Sequence, residues 1–337
     1  MAVVVASYRH RTGEHCASTA MRNLLAHHGT ELSEATVFGL ASGLGFFYFK
    51  SDAVSPTRMF HGRTMTFEEN LAADTGIALA LRDQADDERA EQELRARLDA
   101  GVPVLLATDT FYLGYHQTTS HFPGHTCVAV GYDAARGAVW IADRKFSELQ
   151  VCSFEELRRA RNAPDYPIRC ANRSGDCAAG ARLARPFEQA VASALRRTAR
   201  AMLEPAAEMP CGIPAMRDLA ADFPSWSALP DWSWAARFGY QIIVKRGAAG
   251  SFFRSLYADF LREAAPQLPV LGGLAARMDA IAERWRALAR SLEQQSEREI
   301  CDPALFADAG RQLGELAELE RAFYRDADAA SDAISAH

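Results

Sequence analysis

The run Glu14-His-Cys-Ala-Ser-Thr-Ala-Met-Arg-Asn-Leu-Leu-Ala-His-His28, closed by Gly29, reads as an amphipathic helix with a cysteine in its first turn. A turn signal at Thr12-Gly13 precedes it, Ala20, Met21, Leu24 and Leu25 recur at spacings of three and four, and Gly29 supplies the stop. The free N–H groups and macrodipole at such a helix start favour an anion. The dipole is worth about 0.3–1 kcal/mol, one pKa unit about 1.4 kcal/mol, and a free thiol titrates near ~8.5. The helix alone therefore cannot make Cys16 a thiolate at neutral pH. A base or cation must come from elsewhere in the chain.

A second stretch offers one. His121-Phe-Pro-Gly-His-Thr-Cys-Val-Ala-Val-Gly-Tyr132, Asp133-Ala-Ala-Arg-Gly137 and Ala138-Val-Trp-Ile-Ala-Asp-Arg144 read as strand, glycine-bearing turn and strand, a hairpin. His125 heads the first strand and Asp143 ends the second, and an antiparallel pairing sets them nearly opposite. An imidazole with a carboxylate across the ladder is an oriented, tautomer-fixed base. Cys16, His125 and Asp143 then form nucleophile, base and orienter, the papain-like arrangement recognised by roles and not by sequence position.

Composition bounds the rest. The 337 residues allow two domains, and a net charge of −6 without a long basic block argues against a nucleic-acid partner. No stretch reaches the ~18 unbroken apolar residues of a membrane span. Met1-Ala-Val-Val-Val-Ala6 reads as a first strand and not as a signal peptide, so a cytoplasmic protein is expected. Seven irregularly spaced cysteines, none in CxxC pairs, fit neither a disulfide framework nor a structural zinc site.

Along the chain, Ser33 caps a short helix that carries Glu34 in its first turn. Gly39-Leu-Ala-Ser-Gly-Leu-Gly45 reads as a turn opening into a strand at Phe46-Phe-Tyr48-Phe49, and residues 51–66, with Pro56, Arg58, Gly62 and Arg63, read as loop. Residues 66–76 and 88–100 read as helices, and Val102–Thr108 as a buried strand. From Asp176 onward helical periodicity dominates, with a strand only at Tyr240–Val244. Leu274, Met278, Ile281, Trp285, Leu288 and Leu292 form one apolar stripe. Asp302-Pro303 caps a last helix with Leu313, Leu316, Leu319 and Phe323 on its apolar side. Lys245-Arg-Gly-Ala-Ala-Gly-Ser251 sets two cations before a glycine-rich turn opening a helix, with Ser251 as cap, a pattern that suits a phosphate. The fold class expected is α+β: a papain-like, cysteine-protease-type N-terminal domain with an antiparallel sheet over 1–170, then an all-α domain over 171–337. The apolar stripes of the helical domain leave room for a homodimer.

Residues 10 to about 150 resemble the N-terminal domain of the butirosin-biosynthesis protein H family. The resemblance is carried by His15-Cys16-Ala-Ser, Arg22-Asn23, Leu32-Ser-Glu-Ala, Phe38-Gly-Leu-Ala-Ser-Gly-Leu-Gly-Phe, Gly62-Arg63 and the stretch from His125 to Asp143. That domain is similar to the papain-like double-glycine peptidases. Gly212-Ile-Pro-Ala-Met-Arg-Asp-Leu-Ala and Arg246-Gly-Ala-Ala-Gly-Ser-Phe-Phe-Arg-Ser-Leu-Tyr resemble the helical domain of unknown function that accompanies it. The related peptidases place an oxyanion-hole Gln six residues before the nucleophile, where this chain has His10; the donor is His10, His15 or a backbone N–H. The resemblance implies acyl transfer from an acyl carrier protein thioester to a small-molecule amine through an acyl-Cys16 intermediate, in specialised metabolism. No cofactor is implied beyond the phosphopantetheine arm of that carrier as donor substrate. Glu34, Tyr48, Arg63, Lys245 and Arg246 are the candidate substrate-binding residues. A cysteine hydrolase (peptidase or thioesterase), a thioester-releasing cyclase and an inactive papain-like binding module are the alternatives.

Overall fold

A computed structural model describes residues 2–164, 169–204, 210–248 and 250–336. In chain order its elements are β1 (Ala2–Val4), α1 (Cys16–His27), α2 (Glu34–Leu40), β2 (Leu44–Lys50), β3 (Arg58–Arg63), α3 (Phe67–Thr75), β4 (Leu79–Arg82), α4 (Asp87–Asp99), β5 (Val104–Thr108), β6 (His125–Asp133), β7 (Ala138–Ala142), β8 (Gln150–Ser153), α5 (Phe154–Arg161) and β9 (Ser174–Cys177). The helices α6 (Phe187–Leu203), α7 (Gly212–Asp222), α8 (Trp232–Val244), α9 (Arg254–Ala264), α10 (Leu271–Ser296) and α11 (Pro303–Ser335) follow. The architecture is α+β, with the antiparallel sheet in the N-terminal part and helices in the C-terminal part.

Two compact units divide the chain, one made of 1–37 and 76–184, the other of 38–75 and 185–337. A single cut at 170/171 does not describe them, because residues 38–75 belong with the helical part. The reason is aromatic packing: Phe46 of β2 and Phe60 of β3 stack at 6.1 Å, and both meet Phe252, at 6.2 and 5.7 Å, edge to face. Gly62 permits that approach, since a Cβ there would lie 2.6 Å from the Phe252 ring. The segment 51–66 is accordingly not all loop; Arg58–Lys50 through Phe60–Tyr48 pair as strands.

The first unit is built on a sheet of order β4-β9-β5-β6-β7-β8. Its nine-residue β6 is buried along nearly its whole length, as expected of a continuous apolar strand paired on both sides. Its first half pairs with β5, Thr108 opposite His125, and its last three residues pair with β1. Cys127, Ala129, Val139 and Ile141 share a core with Leu94 and Leu98 of α4 and Leu157 and Ala160 of α5. Local signals start these helices: Asp86 accepts the Arg89 N–H, and Ser153 and Glu156 form a capping box. The strands β4 and β9 were not foreseen; each has only four residues.

In the second unit a buried ion pair joins α9 to α11. Arg254 and Glu320, both fully buried, meet through Nε and Nη2 at 2.9 and 2.8 Å. Arg254 Nη1 also donates to the Phe252 and Gly62 carbonyls, and Trp285 Nε1 donates to Glu320 Oε1. The expected stripe from Leu274 to Leu292 is buried; on α11, Leu313, Leu316 and Phe323 are buried while Leu319 is exposed. Tyr240–Val244 is the end of α8 and not a strand. Phe238, Gly239, Ile242 and Ile243 share the buried face of that helix, and tertiary burial overrides the β-branched local preference. Among the described residues no helix is long and apolar enough to cross a membrane.

Removing one partner of a fully buried ion pair leaves an uncompensated charge, at a cost of about 3–5 kcal/mol. Glu320→Leu is expected to lose stability in that range by urea denaturation, and Glu320→Leu combined with Arg254→Met to recover a large part of it. A single-variant loss below about 1 kcal/mol would show that the pair does not organise this core.

Candidate active site

Cys16 is the first helical residue of α1, and it is buried. The N-cap is His15, whose Nδ1 accepts the Ser18 N–H at 3.2 Å. An accepting Nδ1 places the proton of neutral His15 on Nε2. Glu34 braces the helix start: its carboxylate accepts the Glu14 and His15 N–H groups and the hydroxyls of Ser18 and Thr19, at 2.8–3.1 Å. Arg22 Nη1 lies 3.8 Å from it. A carboxylate at the helix start already draws on the favourable field there, so activation of Cys16 falls to a side chain.

The two informative stretches, more than a hundred residues apart, are stitched together just before Cys16 and just after Asp143. Gly13 N–H donates to the Arg144 carbonyl at 2.9 Å, and Arg144 Nη1 donates to the Glu14 carbonyl at 2.7 Å. His10 Nε2 donates to the Phe146 carbonyl at 2.6 Å. The Arg22 guanidinium and the Asn23 amide hold the Arg11 and Thr12 carbonyls on the same segment. With its Nε2 donating, neutral His10 has only an acceptor left at Nδ1, which is buried without a hydrogen-bond partner. Of the two imidazoles considered as oxyanion donors, His10 thus has its N–H committed to the Phe146 carbonyl, while His15 caps the helix through Nδ1.

His125 Nε2 meets Asp143 Oδ2 at 2.8 Å. The contact is diagonal rather than directly across. A bulge between Ala129 and Gly131 resets the β6–β7 register to Val128 opposite Ala142, so its continuation sets Asp143 across from Cys127, two residues from His125. A diagonal pair is still within reach of long side chains. Cys16 also acts on His125, through a side-chain hydrogen bond and its charge. Burial opposes charge on His125, but the Asp143 charge and hydrogen bond, helped by Cys16, outweigh it and push the imidazole up to about 9. Burial would raise Asp143, yet the facing His125 and His116 hold its carboxyl well below the usual range. An imidazolium beside a thiol favours the thiolate. The arrangement can generate a nucleophile at neutral pH.

Two partners of Asp143 escaped the sequence reading. Its Oδ2 also accepts from His116 Nε2 at 2.9 Å and from the Tyr115 hydroxyl at 3.0 Å. Both lie in the 109–124 connection, where no periodicity marks them; an aromatic-rich run with two histidines was the only signal. His116, His125 and Asp143 bring donor atoms within 4.8 Å of one another, enough to consider a metal ion. Separations of 2.8–2.9 Å onto one shared oxygen are hydrogen-bond lengths between imidazole N–H groups and a carboxylate, and they describe a proton network.

The remaining candidates lie in the second unit. The Tyr48 hydroxyl donates to Asp222, which also meets Lys50, Arg58 and Trp226, beside an open groove of about 790 Å³ lined by Tyr48, Lys50, Asp218 and Asp222. Arg63 and Arg246 both act on His61, which burial first, and then these two cations, push down to about 3. Lys245 is exposed. At the helix start that follows the turn, the described amides from Ser251 onward already have partners. The N–H groups of Ser251, Phe252, Phe253 and Arg254 donate to the carbonyls of Ala248, Ile243, Gly247 and Ser251, and Ser255 N–H donates to Ser251 Oγ. The helix cap is Phe253, in a left-handed conformation, and not Ser251. Ala249 of that turn lies outside the described residues.

The elevated His125 value carries a sign for stability. Its contribution is complete below the ordinary value of 6.5 and is lost as pH rises through about 9. The melting-temperature advantage of the wild type over Asp143→Asn is expected to shrink across that window. Iodoacetamide labelling of Cys16 at pH 7 should slow by about tenfold or more in Asp143→Asn, as followed by peptide mass spectrometry. Equal labelling rates would separate Cys16 from the His125–Asp143 pair.

No curated protein matches the chain. Residues 15–144 match the family described as Butirosin biosynthesis protein H, N-terminal, and residues 155–327 match the Domain of unknown function (DUF4872). The chain belongs to the butirosin-biosynthesis protein H-like family, with its N-terminal domain and the accompanying helical domain joined in one polypeptide.

Proposed function

We propose that the protein is a cysteine-dependent acyltransferase of specialised metabolism, taking an acyl group from an acyl carrier protein thioester and delivering it to a small-molecule amine. The observation that carries the reading is the hydrogen-bonded series Cys16–His125–Asp143. In the first half-reaction the Cys16 thiolate attacks the thioester carbonyl, the tetrahedral intermediate collapses, and the phosphopantetheine thiol leaves with the proton held by His125. The product is acyl-Cys16 and neutral His125. Acylation also removes the thiolate, one of the interactions that raises His125, so the imidazole gives up its proton more readily at that stage. In the second half-reaction the amine attacks the acyl-Cys16 carbonyl and His125 accepts its proton; collapse gives an amide and restores the Cys16 thiolate beside the His125 imidazolium. Exchange between thioesters is nearly thermoneutral, so no nucleotide is required. His15 and backbone N–H groups near Cys16 are the proposed oxyanion donors; a missing donor typically costs about 10²–10³ in rate. A cytoplasmic setting suits a free catalytic thiol.

Intact-mass analysis after incubation with carrier-bound and small-molecule acyl thioesters tests this. The wild type is expected to gain the acyl mass, Cys16→Ala to gain none, and the adduct to persist in water and be discharged by amines. Rapid loss in water alone would make the protein a hydrolase. No adduct from a broad thioester panel would leave a binding module as the better reading.

A further inference from the structure

The crowding at Asp143 exceeds what a nucleophile, base and orienter need. One carboxylate oxygen, Oδ2, takes three donors, from His125, His116 and Tyr115, while Oδ1 is buried with no hydrogen-bond partner. The other two donors are delivered by a loop built for the purpose. Asp109, fully buried where β5 ends, accepts the Phe111 and Phe122 N–H groups and His121 Nδ1, at 2.7–3.0 Å, and so ties both ends of the connection together. Between those ties a short turn, Gly114–His116, ends at Gln117 in a left-handed conformation, φ 49°, that non-glycine residues seldom adopt. The Phe146 ring sits edge-on to both Tyr115 and His116, at 5.4 and 5.6 Å, and the His116 ring meets the His125 ring edge to face at 5.2 Å.

We propose that His116, backed by Tyr115, is a positioning residue of the Cys16 centre: it holds Asp143 through the same oxygen that orients His125 and divides the carboxylate between two imidazoles. The inference rests on the acyl-transfer reading for its catalytic sense, but its geometry stands apart from it. A carboxylate oxygen has two lone pairs, so three donors compete, and each weakens the others' share. His125 thereby stays a weaker base than an undivided Asp143 would make it. That suits a group that must hand its proton to a departing thiol and then take one from an amine. His116 itself is held down by burial, against the Asp143 hydrogen bond, and donates as the neutral ring. The titratable and charged groups around the pair are Cys16 from α1, Cys127 on β6, Asp143 and Lys145 beyond β7, and Tyr115 in the loop.

The test is the titration of His125, read by NMR on the full chain labelled with ¹⁵N-histidine, in the wild type, His116→Ala, His116→Gln and Tyr115→Phe. Removing the competing donor should move the His125 midpoint upward by about half a unit to one unit. Gln, whose amide can donate from a similar place, should bring it back toward the wild type. Tyr115→Phe should move it in the same direction as His116→Ala and decides the matter if that variant does not fold. Superimposable His125 curves in the folded variants would overturn the proposal. Iodoacetamide labelling of Cys16 in the same samples keeps the two readings apart. An inert Cys16 with a shifted His125 counts against the nucleophile, whereas a reactive Cys16 with an unshifted His125 counts against His116.

Discussion

The centre depends on a reciprocal pair of backbone contacts at Arg144. Its carbonyl receives the Gly13 amide and its guanidinium holds the Glu14 carbonyl. Beside the packing of α1 on β6, the clasp ties the start of α1 to the end of β7 with two hydrogen bonds, and His10 adds a third on Phe146. Cys16 follows two residues after Glu14, and Asp143 directly precedes Arg144. The separation between nucleophile and orienter is thus limited by two short stretches of chain and the two contacts at Arg144.

The electrostatics then follow from burial. A lone buried imidazole prefers to be neutral, and a lone buried carboxylate prefers its proton. Placed 2.8 Å apart, with further donors on the carboxylate, each reverses the other's preference. Glu34 supplies the contrasting case. Its charge sits at the helix start among four groups that donate to it, where it stabilises the turn.

Much of this was legible in the sequence because chemistry and punctuation coincide at element ends. Cys16 begins a periodic run after a glycine turn, and His125 and Asp143 bracket a hairpin whose apolar strands are plain. The bulge at Ala129–Gly131 left no mark, yet it moves Asp143 from opposite Val128 to opposite Cys127, onto the face of β6 that carries His125. Tyr115 and His116 were invisible because their loop has neither period nor motif, and its shape comes from Asp109, a single buried carboxylate. The turn at 245–251 is less legible for a related reason. A glycine-rich helix start looks the same in sequence whether its amides face solvent or already serve neighbouring carbonyls, as those of Ser251 to Arg254 do.

The assignment of residues 38–75 to the helical unit has a consequence for how the chain comes to be made. During synthesis this segment emerges first, yet the Phe252 and Trp285 rings that cover Phe46 and Phe60 are added about two hundred residues later. At about 5–20 residues per second, the hairpin waits on the order of ten seconds or more with its aromatic face uncovered. The sheet carrying His125 and Asp143 can close in the meantime around a gap in its own sequence. Such delayed, long-range pairing is slow and exposes sticky surface. A nascent chain of this kind carries that uncovered aromatic face until Phe252 and Trp285 arrive.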